Sequence, residues 1–140
     1  MKKLFFSLLV ITTLAIFNPV SAQWRLNAGI DLLRTPFFEP FPSVNIGAEV
    51  AYFITGSVAF TGGFEYWDKS DLFGGAAGVR WYPVNPVFLR MRGILASDPD
   101  LGLGIGYAIP LNSKWRIELM SDYYAVEAIF AIRFGMGVKF

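Results

Sequence analysis

Residues 126–140, with the sequence VEAIFAIRFGMGVKF, decide the fold of this chain. Apolar residues occupy every second position from Val126 to Phe140, and the positions between them include the charged residues Glu127, Arg133 and Lys139. Because successive side chains of a strand lie on opposite faces, this period of two predicts a β-strand with one apolar face.

The same alternation recurs upstream. It predicts seven further strands, at residues 24–32, 44–52, 58–67, 73–81, 87–95, 101–109 and 114–119. An even number of antiparallel strands can close into a ring, and in lipid only a closed sheet pairs every backbone group. The predicted fold class is therefore all-β: an eight-stranded antiparallel up-and-down transmembrane β-barrel with a polar, side-chain-filled interior.

The amino terminus has the pattern of a secretory signal. Lys2 and Lys3 precede an apolar run from Leu4 to Phe17, and Val20-Ser21-Ala22 supplies small residues suited to signal peptidase. The alternative, a membrane-anchoring helix, is disfavoured because a span needs about 20 apolar residues. The expected organisation is a signal peptide at 1–22 and an outer-membrane barrel domain at 23–140.

Composition narrows the possible functions. The 140 residues are 54% hydrophobic and 16% charged, with a net charge of +1 and no His or Cys. Such an apolar, nearly neutral chain is not typical of a nucleic-acid-binding protein. Without His or Cys, the usual zinc sites, thiol nucleophiles and imidazole-based triads are excluded, so we expect no cofactor, no metal site and no catalytic residue.

The charged residues share the face opposite the apolar one. A basic residue placed in lipid costs about 2–4 kcal/mol at the bilayer midplane, so the charged face must be the interior. Buried charges need partners, which predicts an ion-pair network whose individual pairs depend on the shear of the barrel. Its expected members are Arg25, Asp31, Glu49, Glu65, Arg80, Arg90, Arg92, Lys114, Arg116, Glu118, Glu127, Arg133 and Lys139. The surplus of three bases leaves room for water, backbone carbonyls or a bound anion near the rims.

Aromatic residues are expected to mark the two membrane interfaces. A girdle at one rim consists of Trp24, Tyr52, Trp81, Tyr107 and Trp115, and the opposite rim collects Phe37, Phe38, Phe41, Tyr66, Trp67, Phe73, Tyr123 and Tyr124. The connections near the girdle, at 53–57, 83–86 and 110–113, are short and contain turn-forming residues. This end and both termini are expected to face the periplasm, and the longer connection at 33–43 is expected on the outer side.

The last three residues, Val138-Lys139-Phe140, end the long terminal strand on an aromatic residue. In this and in its strand pattern, the chain resembles the small eight-stranded outer-membrane barrels of Gram-negative bacteria, the OmpA-like and OmpX-like group. The resemblance implies an outer-membrane location. It also implies that Phe140 belongs to a signal read by the barrel assembly machinery.

Three classes of function remain at this stage. The first is a structural or interaction barrel that contacts outer-membrane lipid, lipopolysaccharide and an unidentified surface partner. The second is a narrow pore, which the inward charges disfavour because an eight-stranded barrel is only wide enough for its own side chains. The third is a lipid-modifying enzyme, which the absence of His disfavours.

Overall fold

The computed structural model describes residues 23–36, 45–68 and 71–140, and for residues 32–36 it describes the backbone alone. The chain forms eight strands: β1 (Trp24–Pro36), β2 (Asn45–Phe53), β3 (Val58–Trp67), β4 (Leu72–Val84), β5 (Val87–Leu95), β6 (Asp100–Pro110), β7 (Trp115–Tyr124) and β8 (Ile129–Lys139). The predicted signal peptide at 1–22 and the aromatic residues Phe37, Phe38 and Phe41 lie outside the described residues.

The strands form one closed barrel. Each strand pairs antiparallel with the next along the chain, and β1 pairs with β8 to close the ring. The pairing of β1 with β8 contains a register shift between Asp31 and Leu33. The predicted eight-stranded, closed, antiparallel barrel is thus confirmed. No helix in the described parts of the chain is long and apolar enough to cross a membrane.

The end of β7 and the start of β8 differ from the prediction. β7 continues to Tyr124, and residues 125–128 form a turn before β8 begins at Ile129. Ala128 has a φ of 53°, a left-handed conformation that a strand does not contain. The prediction that β8 begins at Val126 is therefore wrong, and so is the prediction that β7 ends at residue 119.

The outer face of the barrel is apolar and exposed. Phe64, Phe73 and Ile105 are 61%, 66% and 52% exposed, and large apolar side chains from all eight strands share this face. The charged side chains of the strand centres are buried on the inner face, including Glu65, Arg80 and Glu118. A soluble barrel has the opposite arrangement, because water then requires the polar side chains outside.

Apolar side chains cover both ends of the charged interior. Towards the end with both termini, Phe53, Tyr82 and Phe88 are buried with Ala51, Ala59, Ala108 and Met120. Towards the opposite end, Trp67, Ile94, Tyr124 and Ala131 form a second buried cluster. Trp67 and Tyr124 therefore lie in the interior, at 7% and 1% exposure, and their predicted place in an interfacial ring is wrong.

Candidate functional site: the charged lumen

Ten side chains in the middle of the barrel form what we call the lumen network. Its carboxylates are Asp31, Glu49, Glu65, Glu118 and Asp122, and its guanidinium groups are Arg80, Arg90, Arg92, Arg116 and Arg133. The alternation of each strand places these side chains on the inner face, where eight of the ten are buried and Glu49 and Arg116 are partly buried. Since five negative and five positive groups contact one another, the network balances its own charge.

Glu65 on β3 binds side chains from three other strands, β2, β5 and β8. One oxygen, Oε1, accepts from Nη1 of Arg133 at 2.7 Å and from Nη1 of Arg92, and the other, Oε2, accepts from Nδ2 of Asn45 at 2.8 Å. Glu65 is 2% exposed. Both carboxylate oxygens therefore have protein donors in place of water, as a buried carboxylate requires.

Arg80 on β4 spans the lumen in two directions. It contacts Oε1 of Glu49 at 2.6 Å through Nη2 and Oε2 of Glu118 at 2.8 Å through Nη1. Its guanidinium carbon also lies 4.9 Å from the centre of the Phe88 ring. Glu118 binds Arg116 as well, so this part of the network continues towards the end with both termini.

Asp122 on β7 is a member that the sequence analysis missed. Its Oδ1 accepts from Nε of Arg90 at 2.8 Å, its Oδ2 accepts from Nη2 of the same arginine, and Arg92 lies 3.9 Å away. The opposing residue on β6 is Gly104, where a Cβ would overlap the carboxylate. The alternation of inward and outward positions continues through Met120 and Asp122, and this pattern could have identified Asp122 as an inward residue. The polar residues at the end of the strand instead suggested a connecting loop.

The pairs cross the interior as well as linking neighbouring strands. Asp31 and Arg133 face each other across the β1–β8 pairing, with Nε donating to Oδ1 at 2.6 Å. Arg133 also reaches Glu65 on β3, and Arg80 on β4 reaches Glu118 on β7. Side chains from strands on opposite walls therefore meet, and the centre of the lumen is occupied by them.

The remaining predicted members lie at the rims or outside the lumen. Arg25 is half-buried with its guanidinium carbon 4.3 Å from the centre of the Phe53 ring, and Lys139 is half-buried in the last strand. Lys114 is exposed in the turn before β7, and Glu127 is exposed in the turn before β8. The prediction that Lys114 and Glu127 face the lumen is therefore wrong, because neither residue lies within a strand.

The five girdle residues lie at the end of the barrel that carries both termini. Trp24 pairs with Tyr52, Trp81 pairs with Val58, Tyr107 pairs with Val87, and Trp115 pairs with Val138. Trp24, Trp81, Tyr107 and Trp115 are exposed, whereas Tyr52 is half-buried, with its ring centre 4.6 Å from that of Trp24. Phe140 is exposed at the same end, and its N–H donates to the carbonyl of Trp24 at 3.0 Å.

A small cavity lies within the lumen network. A cavity bounded by Asn27, Glu49, Glu65, Arg80, Arg90 and Arg133, among others, measures about 20 Å³. A water molecule needs roughly 10–15 Å³ of such space, so the cavity holds about one. Among the described residues, no group of three or more acidic side chains is arranged to hold a metal ion.

Comparison with solved structures establishes the fold. The chain is similar to a de novo designed transmembrane β-barrel, with a TM-score of 0.63 and 9% identity over 84% of this chain and 95% of that one. It is also similar to Ail, the attachment invasion locus protein of Yersinia pestis, in complex with the heparin analogue sucrose octasulfate. The TM-score is 0.53 and the identity 10%, over 86% of this chain and 100% of Ail.

Neisserial surface protein A is similar at a TM-score of 0.50 and 10% identity, over 86% of this chain and 96% of that protein. No family model and no curated protein matches the sequence. The structure is therefore an eight-stranded barrel with the fold of known outer-membrane barrels.

Proposed function

We propose that this chain is an integral outer-membrane barrel with a structural or interaction role, without catalysis and without an open pore. The observation that supports the proposal most strongly is the lumen network, in which five carboxylates and five arginines occupy the centre of the barrel. Ion pairs that link the walls of the barrel occupy the space through which water or an ion would pass, which favours a closed lumen.

The apolar clusters at both ends of the lumen support the same function. Towards the end with both termini, the Tyr82 ring centre lies 5.6 Å from that of Phe53 and 5.1 Å from that of Phe88. Towards the opposite end, Trp67 and Tyr124 are buried with Ile94 and Ala131. An ion crossing the lumen would have to lose its water at both clusters and displace an arginine between them, which costs several kcal/mol per buried ion.

Several features support a location in the outer membrane. The exposed apolar side chains form a continuous outer belt, which water disfavours and acyl chains accept. The fold is shared with Ail of Yersinia pestis and with Neisserial surface protein A. The proposal also includes a signal peptide at residues 1–22, a Gram-negative origin and membership of the OmpA-like and OmpX-like group.

The proposed partners follow from the same location. Outer-membrane lipid and lipopolysaccharide would contact the apolar belt and the outer connections. The barrel assembly machinery would bind the terminal strand that ends at Phe140, and a surface partner of unknown identity would contact the outer end. A lipid-modifying activity is not proposed, because the chain has no His or Cys to act as base or thiol nucleophile.

Planar-bilayer recording of the refolded protein tests the closed lumen. We expect no stable single-channel steps from the wild-type barrel. Steps that appear in the wild type and vanish in Arg90→Ala or Glu118→Ala, but persist in the control Asp98→Ala, an exposed residue between β5 and β6, would show a pore through the lumen. Mass analysis of lipopolysaccharide acyl chains after incubation with the protein tests catalysis, and any change in chain number would contradict the proposal.

A further inference from the structure

Three cations that the lumen network does not use lie together at one end of the barrel. Arg25, Lys114 and Lys139 lie near the chain termini, and among the described residues no carboxylate side chain lies within 4.0 Å of their charged groups. Together with Arg116, which belongs to the network, they form what we call the basic mouth. This end therefore carries positive charge that the protein does not neutralise by contact.

A cavity lies within the basic mouth. It measures about 190 Å³, and its lining includes all four cations of the basic mouth together with Asn85, Asn112 and Ser113. Among the residues that the structure describes, no aspartate or glutamate contributes to the lining. The cavity is therefore larger than the space in the lumen network and is surrounded by groups that suit an anion.

Two of these cations are held close together by aromatic contacts. The guanidinium carbons of Arg25 and Arg116 lie 6.0 and 5.7 Å from the centre of the same Tyr82 ring. Glu118 contacts both Arg116 and Arg80, so its single negative charge compensates the charge of Arg116 only in part. Nε of Arg116 is buried and has no hydrogen-bond partner in the described structure. An anion in the cavity would reduce the repulsion between the two guanidinium groups.

The cavity also extends to the outer face of the barrel. Trp115 and Val138 contribute to its lining, and both belong to the outward face of their strands. Trp115 is 44% exposed, as expected for an aromatic residue at a membrane interface. A ligand in the basic mouth can therefore contact both the interior cations and the surrounding lipid layer.

We infer that the basic mouth binds a phosphate group, supplied by an anionic phospholipid headgroup or by a soluble phosphate. A phosphate has more acceptor oxygens than a carboxylate and can accept from two arginines and two lysines together. The inference goes beyond the proposed structural role, because the cavity lies outside the closed centre of the lumen. A conducting lumen would contradict the proposed function and would leave this site unaffected.

The test uses ¹⁵N-labelled protein refolded in a maltoside detergent, which carries no phosphate. The side-chain Nε–H resonances of Arg25 and Arg116 are followed during two titrations. One adds inorganic phosphate at constant ionic strength, with acetate as the comparison anion, and the other adds phosphatidylglycerol with diacylglycerol as its uncharged control. The variant Lys114→Ala/Lys139→Ala removes the two lysines without altering the lumen network, and Lys69→Ala, between β3 and β4 in the sequence, is the matched control.

We expect saturable shifts of both resonances with at least one phosphate probe, and the probe that saturates identifies the source. The affinity for that phosphate probe should fall roughly fivefold to tenfold in the double variant, because two partly exposed charge contacts are lost. In the Lys69→Ala control it should fall by less than about twofold. The inference is wrong if neither probe gives a saturable shift or if Lys69→Ala weakens binding equally. It is also wrong if acetate binds as tightly as phosphate, or diacylglycerol as tightly as phosphatidylglycerol.

Discussion

Removing Arg90 tests whether the lumen network stabilises the barrel through charge compensation. Arg90 and Asp122 are 5% and 1% exposed, and they form a bidentate pair. Loss of one partner of a buried pair costs about 3–5 kcal/mol, because the other charge remains without compensation. Arg92 lies 3.9 Å from Asp122 and would compensate part of its charge. We therefore expect Arg90→Met to lower the free energy of unfolding by about 3 kcal/mol, or roughly a hundredfold in the unfolding equilibrium.

Urea unfolding in lipid vesicles, followed by tryptophan fluorescence, measures this cost. Adding Asp122→Asn to Arg90→Met removes the uncompensated charge at nearly constant volume, so the double variant should be more stable than Arg90→Met alone. The control Lys69→Met, between β3 and β4 in the sequence, should unfold at about the wild-type urea concentration. The reasoning fails if Arg90→Met matches this control, or if the second substitution lowers stability further.

Three further predictions concern packing, orientation and assembly. Gly106→Ala should lower the free energy of unfolding by about 1–3 kcal/mol because the new Cβ would overlap the Phe88 ring, whereas Gly62→Ala, with open space beside it, should change it little in the same urea assay. A spin label at Ile105 should show high collision rates with oxygen and low rates with a water-soluble nickel complex; the reverse result would place this face in water. Deletion of Phe140 should slow assembly into the outer membrane of cells, measured as heat-modifiable folded protein, and an unchanged rate would exclude its role as an assembly signal.

The strands could be predicted from sequence because alternation is a local property. From Val58 to Trp67 the inward and outward positions follow one another without interruption, and the structure retains that register. The turn at residues 125–128 could not be predicted in this way. It contains no Gly or Pro, and Ala128 adopts a left-handed conformation that its side chain does not favour. The strand predicted from the sequence therefore included this turn, and its alternation wrongly placed Glu127 on the inner face of the barrel.

The ion pairs could not be predicted because they depend on distance across the lumen. Arg80 on β4 meets Glu118 on β7, two residues that no local pattern connects. The buried aromatic residues were misplaced for two different reasons. Trp67 follows Glu65 by two positions, so alternation predicts that it lies on the inner face, but it was assigned to an interfacial ring by its residue type. Tyr124 lies beyond the predicted end of β7, so the predicted strand gave no direction for its side chain.

The pairing of β1 with β8 has a consequence for synthesis of the chain. Asp31 and Glu65 emerge from the ribosome early, but both depend on Arg133, which lies near the end. A nascent or truncated chain that lacks β8 keeps two unpaired strand edges and acidic side chains without this cation. A fragment that ends before β8 should therefore be less stable than the complete barrel.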